Sequence, residues 1–189
     1  MTTMTDLADL YAEIQEAYDQ TAGLLDFTCQ GCSDNCCNSY FLHHTYIEWA
    51  YLREGFSALS QVEQDKYLAR ARDYDQQGKI ELAEGRRPEI MCPLNDEGRC
   101  GLYAHRLLIC RLHGVPAGMT FPNGQRRDFP GCFRCQEITA DLHNVTAMDR
   151  TLFFKKMLGL EREFVGPRLN ALPRVKMSLA EMLLNSLPF

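Results

Sequence analysis

Cys29-Gln30-Gly31-Cys32-Ser33-Asp34-Asn35-Cys36-Cys37 is the stretch on which the reading of this chain turns. It holds four of the nine cysteines in a 189-residue sequence. Cys92, Cys100 and Cys110 form a second group, and Cys132-Phe133-Arg134-Cys135 follows. Thiols bunched this tightly serve a disulfide framework, a metal site or an iron–sulfur cluster, and the redox compartment discriminates among them. The opening Met1-Thr2-Thr3-Met4-Thr5-Asp6-Leu7-Ala8-Asp9 lacks the basic, apolar and cleavage segments of a secretory signal. No run of roughly 18 apolar residues suggests a membrane span. The odd cysteine count leaves a thiol unpaired in any intrachain framework. With 46% hydrophobic residues, the chain can bury a core without covalent staples. The expectation is a bacterial-type cytoplasmic protein with reduced cysteines.

The formal charge is −5, from 25 acidic and 20 basic residues. That balance argues against a broad nucleic-acid face, which needs a basic excess. Arg126-Arg127 and Lys155-Lys156 read as solvated surface. Phosphate-cradling glycine motifs are absent: neither GxGxxG nor a Walker-type run occurs. The expected partner is therefore a metal ion, with no nucleic acid and no membrane; no feature names a protein partner.

Apolar periodicity predicts a mainly α fold, a helical scaffold around a loop-rich, cysteine-ligated metal centre with a small β-hairpin. Length predicts one domain over residues 1–189, with a cysteine core at 29–135 between an N-terminal helix at 4–26 and C-terminal helices at 139–187. Leu7, Leu10, Tyr11, Ile14, Tyr18, Thr21 and Leu25 recur at helical steps. Thr45-Tyr46-Ile47-Glu48, Ser60-Gln61-Val62-Glu63 and Ser178-Leu179-Ala180-Glu181 are capping-box patterns that open helices. Tyr103 to Leu112 reads as a short helix, and Leu142 to Val165 as a long one stopped by Gly166-Pro167. Asn123-Gly124 signals a tight turn within a hairpin from Met119 to Phe129. Asn95-Asp96-Glu97-Gly98 signals another turn, between Cys92 and Cys100.

Cys29-x-x-Cys32 has the spacing that lets two thiolates of one turn reach one metal ion, and Gly31 suits that turn. Cys36 and Cys37 are adjacent. Their side chains point to opposite faces of an extended chain, or diverge by about 100° in a helix. Either they serve different metal centres, or one is a ligand and the other packs inward. A turn at Asp96–Gly98 folds Cys92 and Cys100 toward one point. Cys132-x-x-Cys135 repeats the two-residue spacing after Pro130-Gly131 and is read as a further ligand pair, against the alternative of two reduced thiols at the end of a hairpin. Nine thiolates suffice for two four-thiolate zinc ions with one left over, or for one iron–sulfur cluster with spare thiols.

The chain resembles the bacterial CxxCxxCC, or YkgJ-type, cysteine-cluster family, described as zinc- or iron-chelating. The residues that carry the resemblance are Cys29, Cys32, Cys36 and Cys37, then Cys92-Pro93-Leu94 with Gly98-x-Cys100. It continues through Leu102-Tyr103-x-His105-Arg106 into Cys110-Arg111-Leu112. The sequence departs from the family pattern in the three residues between Cys32 and Cys36, and in Arg106-Leu107 where the family has Arg-Pro. The resemblance implies metal binding by Cys29, Cys32, Cys36, Cys37, Cys92, Cys100 and Cys110. Cys132 and Cys135 lie outside the family's core pattern and are metal candidates by spacing alone.

Around these cysteines, His43-His44 and His113 are further candidate ligands, although with nine thiols present they read more simply as packing or hydrogen-bonding residues. Arg106 and Arg111 flank Cys110 and can offset thiolate charge, or pair with Asp96 or Glu97. Tyr103 and Trp49 read as core. A thiol nucleophile is a further alternative, because a cysteine whose pKa is lowered beside Arg or His becomes reactive, although no local pattern resembles a known Cys/His protease or thioltransferase context. Three function classes fit: a zinc- or iron-binding protein, an iron–sulfur protein with a redox or catalytic role, and an interaction module stapled by a structural metal.

Overall fold

The computed structural model describes residues 2–30 and 36–189. It is mainly helical with a small amount of sheet. The helices are α1 (Thr2–Leu24), α2 (Tyr46–Ser57), α3 (Gln61–Ala83), α4 (Leu108–Leu112), α5 (Phe133–Thr139), α6 (Thr151–Val165) and α7 (Leu179–Leu184). The strands are β1 (Asn95–Asp96), β2 (Arg99–Cys100), β3 (Ala117–Thr120), β4 (Arg126–Phe129) and β5 (Met148–Asp149). The residues gather into two compact units, Met1–Cys36 with Leu108–Glu163 and Cys37–Leu107 with Phe164–Phe189. No helix among the described residues is long and apolar enough to cross a membrane.

In the first unit, α1 buries the stripe its periodicity marks: Leu7, Leu10, Tyr11, Ile14 and Thr21. Its end is a Schellman turn. The Phe27 N–H donates to the Ala22 carbonyl at 2.9 Å, and the Asp26 N–H to the Gly23 carbonyl at 3.3 Å. Asp26 takes the left-handed conformation, φ 49°, and buried Phe27 closes the turn. The expected hairpin is present, with Ala117 opposite Phe129 and Thr120 opposite Arg126. Gly124 at φ 81° turns the chain.

The region from Leu142 differs from expectation. Met148 and Asp149 form a strand parallel to β3, and α6 begins only at Thr151. Backbone pairing decides this: the Met148 N–H donates to the Pro116 carbonyl at 2.9 Å and the Arg150 N–H to the Gly118 carbonyl at 2.8 Å. Asp149 Oδ1 then accepts the Thr151 N–H at 2.9 Å, which supplies the start signal for α6. Tyr103 to Leu112 is likewise not one helix. A 3₁₀ turn, Tyr103–His105, ends at Arg106, whose extended backbone (ψ 139°) separates it from α4.

The second unit has a core of Tyr46, Trp49, Leu52, Phe56, Tyr67 and Met182, with smaller apolar residues around them. α7 docks against α2 and α3. Trp49 Nε1 donates to the Met182 carbonyl at 2.8 Å, and the Tyr46 hydroxyl to the Pro173 carbonyl at 2.6 Å. Full capping boxes are present at Ser60/Glu63 and Ser178/Glu181. At Thr45 the pattern marks the start of α2, as expected, but through a different contact. The Thr45 hydroxyl donates directly to the Glu48 carboxylate at 2.8 Å and caps no backbone N–H, because both side chains are buried and satisfy each other.

The short β1–β2 ribbon is tied to α3 through one carboxylate. Asp96 accepts from Lys66 Nζ at 2.8 Å, the Tyr67 hydroxyl at 2.5 Å and Arg70 Nη1 at 2.7 Å. Arg70 also donates to the Asn95 carbonyl at 2.9 Å. Gly101 leaves room for this clamp, since a Cβ there would fall 2.0 Å from the Tyr67 hydroxyl. The Lys66 hydrogen bond foremost, with those of Tyr67 and Arg70, holds the Asp96 carboxyl well below the usual carboxylate range.

A depressed carboxylate stabilises the fold above its unfolded pKa, near pH 4, and that stabilisation is lost as pH falls toward the folded value. Asp96→Asn is therefore expected to lower the thermal midpoint at pH 7 by about 3 °C, a figure kept small by the partial exposure of the site. The difference shrinks as pH falls below about 4. Thermal scans of both proteins at several pH values check this, and equal midpoints at pH 7 would show that the clamp contributes nothing.

Candidate metal centre

In the second unit, three of the predicted ligand positions lie on stretches of chain that backbone bonds tie together. The Cys92 N–H donates to the Cys37 carbonyl at 2.9 Å. The Asn95 N–H donates to the Cys92 carbonyl at 2.9 Å, and the β1–β2 register sets Asn95 opposite Cys100. Glu97 at φ 50° and Gly98 at φ 88° give the two left-handed residues that a tight type I′ turn requires. All three cysteines are half-buried.

Asn95 sits at the middle of this corner. Its side-chain carbonyl accepts the Gly98 N–H at 3.0 Å, which fixes the orientation of the amide. Its Nδ2 is buried and has no hydrogen-bond partner. A buried unpaired donor costs about 1–3 kcal/mol, so a donor left this way between two cysteine positions suits an acceptor such as an anionic sulfur. Neighbouring Tyr74 has its phenol pushed up to about 12, by burial first and by the nearness of Cys92 second.

In the first unit, Cys29 is exposed just beyond α1, and Cys110 is half-buried in α4. α4 packs on α1, with the Arg111 guanidinium 4.3 Å above the Tyr11 ring. The Arg150 guanidinium donates to the Leu112 carbonyl and stacks 4.7 Å from the Phe129 ring. Burial lowers its pKa to about 10. Arg150 thus caps α4 and fixes the helix that carries Cys110. Cys32 lies outside the described residues, and of Cys36 only its place in the 3₁₀ turn Cys36–Asn38 is described.

Cys132 and Cys135 form a pair of their own. Cys132 is the N-cap of α5, half-buried, and Cys135 is the third residue of that helix, with no exposed surface. The Cys132 N–H donates to the Gly114 carbonyl at 2.9 Å. Gly131, at φ 92°, makes that approach possible: a Cβ there would fall 2.6 Å from the Gly114 oxygen. Burial, with the nearby Cys132 thiol adding, pushes the Cys135 thiol up to about 11.

His43 and His44 are engaged with the 175–177 segment. His43 is buried and exchanges backbone hydrogen bonds with Met177, and burial, then His44, push its imidazole down to about 3. His44 is exposed, with Nδ1 3.3 Å from the Val175 carbonyl. Arg106 lies 3.8 Å above the ring of Tyr103, which is exposed rather than core. Asp96, an expected partner of Arg106 or Arg111, is held by Lys66 and Arg70 instead. Sequence reasoning passed over Asn95. Its position in an Asn-Asp-Glu-Gly turn between two cysteines was the available signal.

Among the described residues, no group of three or more His, Cys, Asp or Glu side chains is arranged to hold a metal ion. In comparisons with known proteins, no family model, no curated protein and no solved structure matches the chain. The resemblance to the cysteine-cluster family therefore stands on the cysteine spacing and the short motifs around Cys92, Cys100 and Cys110 alone.

The buried neutral His43 has a pH consequence. Its folded pKa lies below the unfolded value of 6.5, so the unfolded chain takes up the proton first. This stabilisation is full above pH 6.5 and declines as pH falls toward 3. Denaturant titrations should show a loss of up to about 1.4 kcal/mol per pH unit from this group. His43→Leu should flatten the profile between those values, and an unchanged slope in that variant would contradict the assignment.

Proposed function

We propose that the chain is a thiolate metal-binding protein that holds zinc or iron in two cysteine sets, in the manner of the cysteine-cluster family it resembles. Cys37, Cys92 and Cys100 supply the set of the second unit. Cys29, Cys32, Cys36 and Cys110 supply that of the first. The observation that carries the reading is the buried, unpartnered Asn95 amide between Cys92 and Cys100. Soft thiolates suit zinc and iron alike, and N–H donors to the sulfurs disperse their charge. The division of sets is supported by the boundary between the units, which falls between Cys36 and Cys37. Adjacent thiols diverge, so assigning them to different centres removes the strain of sharing one ion.

Four thiolates close a tetrahedral site, whereas three leave a coordination position open. The bound metal would supply ordering of the cysteine loops and, at the three-thiolate set, a Lewis-acidic position. Thiolates of this kind persist in a reducing compartment, in keeping with the cytoplasmic expectation.

Anaerobic purification followed by elemental analysis tests the reading. The wild type should carry thiolate-bound zinc or iron, and Cys36→Ser and Cys37→Ser should each remove about one equivalent and leave the other. Complete loss in either single variant, or no loss in both, would contradict two separate sets. Asn95→Ala should weaken metal retention against a chelator by about 10–100-fold at the second-unit set. Unchanged retention in that variant would remove the observation on which the reading rests.

A further inference from the structure

We propose that Cys132 and Cys135 form a thiol–disulfide exchange centre that reacts with small organic disulfides, a chemistry separate from metal binding by the other seven cysteines. The placement of the two thiols carries the inference. An N-cap side chain lies over the N3 residue of its helix, which is why such side chains usually accept the N3 N–H. In this chain the two positions are Cys132 and Cys135. Helix geometry sets their Cα atoms about 5 Å apart, within the roughly 4.4–6.8 Å that a disulfide spans. The Cys132 carbonyl accepts the Gln136 N–H at 2.9 Å, so the segment is already helical in the reduced state.

The two thiols also differ as an attacking and a resolving thiol must. Cys132 has surface open to solvent, whereas Cys135 has none. Between them Phe133 is 73% exposed and offers an apolar contact beside Cys132. Among the described residues, no third His, Cys, Asp or Glu joins the pair to complete a metal-binding group. The seven residues of α5 are too few for a helix dipole to matter, so the asymmetry comes from burial.

The reaction balances within the pair and its substrate. The Cys132 thiolate attacks one sulfur of R–S–S–R, forming a Cys132–S–S–R mixed disulfide and expelling RS⁻, which takes up the proton lost by Cys132. Cys135 then gives up its proton and attacks Cys132 Sγ, expelling the second RS⁻, which is protonated in turn. The disulfide substrate is reduced to two RSH, and the two cysteines are oxidised to one disulfide.

The test uses the full chain, purified anaerobically with whatever metal it carries, treated with glutathione disulfide, alkylated and mapped by peptide mass. The wild type should yield a Cys132–Cys135 disulfide. Cys135→Ala should stop at a glutathione mixed disulfide on Cys132, and Cys132→Ala should leave Cys135 unmodified, with a rate of glutathione release at least about ten-fold lower. Elemental analysis should find the metal content of both variants equal to wild type. If Cys135→Ala does not fold, early quenching of the wild type reads the same step, with Cys132 expected as the first cysteine of the pair to carry glutathione. The proposal is overturned if Cys132 resists glutathione disulfide, if Cys135 is modified first, or if either variant loses about one equivalent of metal, which would make the pair ligands. A wild type without thiolate-bound metal would defeat the metal reading and leave the exchange result standing.

Discussion

The cysteine corner of the second unit depends on one carboxylate. Asp96 is gripped by Lys66, Tyr67 and Arg70 from successive turns of α3, and the same Arg70 holds the Asn95 carbonyl. A two-residue ribbon has too few ladder bonds to stand alone. Anchored to a 23-residue helix by charge-assisted hydrogen bonds, it becomes a fixed arm. That arm sets the register that puts Cys100 opposite Asn95 and, through the Asn95 N–H, holds Cys92 in the chain reversal. The orphan amide of Asn95 is a by-product of the same geometry, because its carbonyl end is spent on the Gly98 N–H.

The described cysteines then sort by environment. Cys36 and Cys37, neighbours in sequence, belong to different compact units. Cys135 is sealed in the first unit while Cys132 keeps contact with solvent. In the proposed exchange centre, the contrast in exposure within the Cys132/Cys135 pair is the one that an attacking and a resolving thiol need. In the proposed division of labour, one short spacing, CxxC, supports two chemistries, and the surroundings of each sulfur decide between them.

Much of the helical scaffold was legible because it rests on local signals. α1 follows its apolar stripe, and the Ser60 and Ser178 capping boxes open helices where the pattern places them. The Asn123-Gly124 hairpin was legible for the same reason. What was not legible is non-local. Met148 and Asp149 leave the helical pattern because β3 offers them a backbone ladder, and Thr45 and Glu48 abandon the capping box because burial makes each the other's best partner. The ribbon clamp joins residues about 30 positions apart in sequence, as with Lys66 and Asp96. At the candidate site, the spacing of the cysteines marked which residues matter. The sharing of Cys36 and Cys37 between units, the orphan amide of Asn95 and the burial of Cys135 required the fold.

X-ray absorption at the metal edge of the anaerobically purified protein tests the central claim most directly. Thiolate ligation predicts a first coordination shell dominated by sulfur, at about 2.3 Å for zinc. A shell of nitrogen and oxygen alone, at about 2.0–2.2 Å, would contradict it.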